Sequence, residues 1–409
     1  MAAPLCFPAP TQMIGNTLES GREHADRGNP VVGGGWHCVW RWALALLSFA
    51  SARASDDGLW HGVQPRPHLA VGLSYDDNIN ASSTNQLAGF ATTVAPGFGL
   101  VWGEEGQNHL ALDYTFEWQQ YFDQPEFDAE NHRATLALAL ASPQTALQLT
   151  HKFARESIIV FEASRRVETQ QNHTRLDLRR TLSEKTAWGL HYNQDFQDYD
   201  VPDLINSRQF VLGASLFYCI LPKTDLLVEF NQGFTDLNQG ADAISEQLNV
   251  GLTGSFTEKV RGTVKVGYEH REYTGALQPL DAVVTDVSLH AQFRERTAAT
   301  LTVSYQPVAA VSQVSQTDET VQSLRVAVDL QQKLWHEQVT VRVGYSGQHD
   351  DYSVTGRADD YWGAQAGVSY SWKPWAETGL LYAHHDGSSS VGTRAFRRNL
   401  VTWTIAVHF

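Results

Sequence analysis

His349-Asp350-Asp351 and His384-His385-Asp386 each set imidazole beside carboxylate, the residue types that general acid–base hydrolysis and metal binding both use. Neither triplet comes with the rest of such a site. The chain has no Gly-x-Ser-x-Gly elbow, no His-Glu-x-x-His, no Walker loop and no dinucleotide loop. Both triplets lie in polar stretches and read as loop, so the expectation is no enzyme, no catalytic residue, no metal site and no cofactor. A second pattern of charge is far more extensive. Arg175, Asp177 and Arg179 alternate with Leu176 and Leu178, and the same alternation carries Asp113, Glu117, Asp195, Glu229, Lys265, Glu269, Arg271, Asp286, His290, Arg325, Asp329 and Arg342. Both signs at every second position suit a wetted wall. Opposite charges pair across neighbouring strands, and some of them tune which solutes pass.

The element that must hold such residues is a strand. Residues 110–122 read LALDYTFEWQQYF, in which Leu110, Leu112, Tyr114, Phe116 and Trp118 alternate with Ala111, Asp113, Thr115, Glu117 and Gln119. Successive side chains of a strand point to opposite faces. In a soluble sheet the apolar face would meet a core; in a membrane barrel it meets lipid while the polar face lines water. The decision rests on whether the pattern repeats without supplying a core.

It does repeat. Short turn-like clusters lie at 103–108, 142–145, 183–186, 221–224, 257–260, 294–297, 333–338 and 373–376, several of the form Ser-Pro-Gln-Thr, Ser-Glu-Lys-Thr, Leu-Pro-Lys-Thr or Arg-Glu-Arg-Thr. They recur about every 40 residues, flanked by alternating apolar positions. Longer polar connections fall between them at 76–89, 120–131, 156–168, 198–207, 235–245, 273–282, 307–320, 348–360 and 384–395. Eight short turns and nine long connections give 18 strands. A β-propeller also repeats near 40 residues, but with four short strands per blade rather than two long ones. The predicted fold is therefore all-β: a transmembrane antiparallel up-and-down barrel of about 18 strands, with short periplasmic turns and longer extracellular loops.

Composition agrees. Hydrophobic content is 42%, and 12 Trp, 14 Tyr and 18 Phe stand against two Met. No apolar run reaches the length of a transmembrane helix. Arg41, the run 42–50 and Ala52-Arg53-Ala54 have the layout of an export signal cleaved after Ala54. The expected organisation is an N-terminal extension plus signal over 1–54 and one barrel domain over 55–409. Cleavage would leave Cys219 as the one cysteine, so no disulfide framework is expected. The net charge of −15 argues against nucleic acid as a partner.

The long connections are acidic, with Asp76, Asp77, Asp123, Glu126, Asp128, Glu130, Asp198, Asp200, Asp203, Asp350, Asp351, Asp359 and Asp360 expected to solvate the outer rim. The short turns lean basic. Tyr121, Phe122, Tyr199, Tyr273, Tyr352, Trp362, Trp372 and Trp375 fit interfacial girdles. The last strand alternates through Val401, Trp403, Ile405 and Val407 to a terminal Phe409. Its exposed edge must pair with the first strand, and Trp403 and Phe409 resemble the signal by which barrel assembly machinery recognises its clients.

Gly72-Leu73-Ser74-Tyr75-Asp76-Asp77-Asn78-Ile79-Asn80 resembles the first strand and loop of the putative β-barrel porin family of Gram-negative bacteria. The hairpin architecture extends that likeness over 66–409. The resemblance implies a porin-like channel of the outer membrane. Members that accompany exopolysaccharide or exosortase systems imply a polysaccharide or another hydrophilic solute, with export components as partners beside outer-membrane lipid and lipopolysaccharide. The family has no catalytic residues to carry over. A structural or adhesive barrel without transport is the alternative. Loops of ten to fourteen residues are short for folding into so wide a lumen, so an open channel is expected.

Overall fold

Alternation of large apolar and polar residues over thirteen or more positions leaves few options except a strand long enough to cross a bilayer at a tilt. In the computed structural model, which describes residues 62–103, 108–160, 163, 165–275, 277–310, 320–390 and 395–409, every such segment is a strand. The first six are β1 (Val63–Asp76), β2 (Gly89–Gly103), β3 (His109–Tyr121), β4 (Ala129–Ala141), β5 (Thr145–Val160) and β6 (Arg165–Thr181). The next six are β7 (Thr186–Tyr199), β8 (Ser207–Leu221), β9 (Thr224–Leu237), β10 (Ala243–Ser255), β11 (Val260–Tyr273) and β12 (Leu280–Arg294). The remainder are β13 (Thr297–Ala309), β14 (Thr320–Leu334), β15 (Val339–Tyr352), β16 (Ala358–Lys373), β17 (Ala376–Ser389) and β18 (Phe396–His408).

Each strand pairs antiparallel with its sequence neighbours, and β1 pairs with β18 through contacts such as Gly72↔Thr404 and Leu73↔Trp403. The 18-stranded sheet is thus a closed barrel with no free edge. Closure satisfies the backbone groups that lipid cannot. The signal-like segment 1–54 lies outside the described residues.

All eight short turns fall between the predicted strands. Three contain only two residues, at 222–223, 295–296 and 374–375, and in each the register slips just before the turn, at Cys219/Leu221, Gln292/Arg294 and Ser371/Lys373. Near another turn Gly254 faces Gly262, with φ of +130° and +154°. A Cβ at either would come within 2.1 Å or 1.9 Å of backbone oxygen, so only glycine fits both the φ and the space.

One face of most strands is greasy and uncovered. On β1 this face is Val71, Leu73 and Tyr75; on β3 it is Leu110, Leu112 and Tyr114; on β11 it is Val264, Val266 and Tyr268. A soluble sheet would hide these residues. Buried apolar side chains gather instead at the long-loop end, in clusters around Ile79, Ile159, Val160 and Ile205.

The strands run further than the sequence pattern suggested. β15 continues through Tyr352 and β17 through Ser389, so His349-Asp350-Asp351 and His384-His385-Asp386 are strand residues, not loop. Register explains it. His349 faces Asp360 and Asp350 faces Asp359, so side chains that would need water in a loop pair across the ladder. Three tyrosines assigned to the girdles are misplaced as well. Tyr121, Tyr199 and Tyr352 are buried at the mouth, whereas Phe122, Trp362, Trp372 and Trp375 are exposed. The strand's phase, not its end, decides which face an aromatic takes.

Candidate functional site

Residues paired directly across a ladder share a face of the sheet. Arg179 of β6 reaches Asp225 of β9 at 2.5 Å, and Lys265 of β11 reaches Glu229 of β9 at 3.1 Å. Side chains can span an intervening strand only on the concave side of a closed sheet. The register carries that assignment around the ring. Arg175 pairs with Asn193, Asp177 with His191, Asp195 with His173, Glu117 with Asn131 and Asp113 with Gly99. Beyond β9, Glu229 pairs with Asn249, Lys265 with Asp286, Glu269 with Gln247, Arg271 with Ser245 and His290 with Thr300. Arg325 pairs with Gln348, Asp329 with Gly344 and Arg342 with Gly367. All fifteen charged candidates stand on the concave face.

Part of this set forms a continuous belt. The Glu229 carboxylate accepts from Asn231 Nδ2 (3.1 Å), Asn249 Nδ2 (3.0 Å) and Lys265 Nζ (3.1 Å), and from Ser215 Oγ at 3.5 Å. Lys265 also meets Asp286 at 3.1 Å. Gln247 Nε2 donates to Asn249 Oδ1. Arg175 Nε donates to Asp177 at 2.6 Å, and on the same strand Arg179 reaches past β7 and β8 to Asp225, which draws the β6 wall toward β9. Ser215, Glu229, Asn231 and Asn249 are 2–8% exposed, which an open wall would not allow.

Other inward charges also pair. Arg133 bridges Glu117 and Glu156, Arg271 meets Glu269 at 2.7 Å, and His173 lies 2.5 Å from Asp195. Asp113, Asp329 and Arg342 stand apart from the belt. The sequence reading placed Asn231 inward beside Glu229 but missed Ser215, Asp225, Gln247 and Asn249. Three of these four are neutral, and the signal that finds Gln247 and Asn249 is their alternation with Leu248 and Val250. Among the described residues no group of three or more His, Cys, Asp or Glu side chains is arranged to hold a metal ion.

Among the described residues, apolar side chains pack across the long-loop mouth. Ile205, between β7 and β8, packs against Val308, Ala310, Val321 and Tyr352 of the β13–β15 wall. Ile159 meets Ala81, Tyr361 and Phe396, joining β5 to β16 and β18. Ile79, between β1 and β2, fills the space beside Ala91 and Tyr121. The expectation of an open channel is corrected: strand extensions and inward-turned loops span the opening, which loop length alone did not reveal.

Charges below this packing are buried, not solvated. Asp76 is 1% exposed; it accepts from Arg398 Nη2 at 2.7 Å and from the Asn78 backbone, with Arg166 at 4.0 Å. Asp359, fully buried, accepts from Arg357, Tyr361 and Ser389. These two and Asp350 therefore depart from the solvated-rim reading. At the start of β6, Arg165 Nη2 donates to both oxygens of the exposed Asp203 in the β7–β8 loop and holds that carboxyl below its ordinary value. At the barrel's last strand, Trp403 lies on the outer face with Nε1 donating to Thr378 at 3.1 Å, and the Phe409 amide donates to Pro67 O.

No curated protein matches the chain. Among solved structures, a BenF-like porin from Pseudomonas fluorescens Pf-5 aligns with 11% identity and a TM-score of 0.47, covering 86% of this chain and 100% of that one. Pseudomonas aeruginosa OpdK, crystallised with vanillate, aligns with 12% identity and a TM-score of 0.44 over 85% and 99%. Acinetobacter baumannii OccAB4 gives 12% and 0.41 over 85% and 98%. The family model described as "Putative beta-barrel porin 2" matches residues 206–409, covering the strands from β8 onward that contribute Glu229, Lys265 and Asp286. The chain belongs to that family of porin-like outer-membrane barrels.

Proposed function

We propose that this porin-like barrel translocates a polysaccharide or another hydrophilic solute across the outer membrane of a Gram-negative bacterium. The observation that carries the reading is the continuous polar concave face, in which charges are paired and amides fill the positions between them. Such a wall wets without binding any one ion tightly. Outside it, the uncovered apolar face suits outer-membrane lipid, and the charged upper rim suits lipopolysaccharide. Trp403 and Phe409 are suited to recognition by the barrel assembly machinery, and polysaccharide export components are the expected partners for loading. The porin family match supports reading the role as transport.

The packing across the mouth requires that the 200–206 loop shift before a large solute leaves. It also favours the second reading, a structural or adhesive barrel that does not transport. Swelling of liposomes carrying the protein separates the two. Graded entry of neutral oligosaccharides supports transport; liposomes that swell no faster than empty ones support the structural role. Deleting the gene tests the finer point, since unchanged surface polysaccharide would remove polysaccharide export and leave passage of small solutes.

A further inference from the structure

We infer that the β6–β12 belt is the selectivity element and that it passes uncharged, hydroxyl-bearing solutes, with Lys265 as the residue that keeps its charge low; this rests on the transport reading above. Three observations carry the inference. First, the belt is where the wall is least accessible: Asn249, Ser215, Glu229 and Asn231 are nearly buried although they face the lumen. Second, each of its cations is closed onto carboxylate, which leaves the set a single negative charge in excess. Lys265 lies between Glu229 and Asp286 at 3.1 Å from each, and Arg175 is closed onto Asp177.

Third, the positions between the charges carry amides and a hydroxyl rather than further ionic groups. Asn231 and Gln247 interlock at 3.3 Å, Gln247 and Asn249 at 3.1 Å, and Ser215 completes the row. Donors of that row are turned onto Glu229, which leaves the buried Asn231 Oδ1 and Asn193 Oδ1 with no protein partner. A buried carbonyl oxygen left unpaired is costly unless a donor reaches it. Where the belt parts to admit a solute, a hydroxyl group of that solute, or water between solutes, supplies that donor. An anion supplies none, and a small cation must shed water to enter a belt whose charges are already paired.

Lys265 is decisive because its one ammonium offsets two carboxylates. Removing it leaves Glu229 and Asp286 facing the path without their cation, and local potential then favours cations. Removing the Glu229 charge has the opposite sign. The test is the K⁺/Cl⁻ permeability ratio of the full-length protein in planar bilayers under a salt gradient, for the native chain, Lys265→Met, Glu229→Gln and the double variant. The native ratio should lie modestly above one, as a single excess carboxylate requires. Lys265→Met should raise it about threefold or more, Glu229→Gln should lower it, and the double variant should return toward the native value. Compensation in the double variant distinguishes a local charge effect from damage to the fold. Native conductance reduced by neutral oligosaccharide, with little response to a uronate oligosaccharide, completes the expected result. Conductance with a ratio that none of the substitutions moves overturns the belt while leaving the porin reading intact. No conductance from any of the four proteins overturns the porin reading and the belt together.

Discussion

Individual side chains in this barrel are legible by parity but not by partner. Inward charges such as Arg175, Glu229 and Lys265 announce themselves by alternating with apolar residues, so their face follows from counting in twos. Asn231 follows by the same count, but the uncharged Asn249 does not stand out in sequence, although both hold the Glu229 carboxylate in place. Asp76 is the opposite case, conspicuous in sequence and misread as rim. It is buried between Arg398 and Arg166, residues far away in the chain. Asp76→Asn should leave two buried guanidinium groups short of their counter-charge. Breaking a buried pair costs about 3–5 kcal/mol. A clear fall in the urea midpoint of the refolded protein in micelles is therefore expected, and a midpoint unchanged from the native chain would show that the cluster contributes nothing.

Strands and their turns were the most legible level, because hairpin grammar is local. A two-residue turn such as Pro222-Lys223 between alternating segments needs no distant information. Loop packing was illegible for the converse reason. The contact of Ile205 with Val308 and Val321 joins segments roughly a hundred residues apart, and no periodicity encodes it. Two predictions belong here. Ile205→Asp places a charge in the apolar packing at the mouth, so bilayer recordings should show longer open times or larger steps; traces matching the native chain would mean that this packing does not limit passage. The two faces of β3 should respond differently to one substitution. Leu112→Arg puts a charge against lipid and should lower folding stability in bilayers by about 2–4 kcal/mol. Asp113→Arg, on the concave face, should change it far less. Equal losses would contradict the assigned faces.

For the molecule as a whole, the absence of a conventional core is the defining feature. Apolar residues that a soluble protein would bury form an exposed outer belt, and the sheet closes on itself through β1 and β18. The polar inner face then has one use, to hold water and whatever dissolves in it. Solvent access at alternate positions is the most direct test of that arrangement. With the native cysteines replaced by serine, single cysteines placed at 110 through 119 in the reconstituted protein would be exposed to a membrane-impermeant thiol reagent. Labelling at 111, 113, 115, 117 and 119, with protection at 110, 112, 114, 116 and 118, is the predicted result. Labelling of both sets alike, or the reverse alternation, would contradict a water-filled tube with its apolar face in lipid.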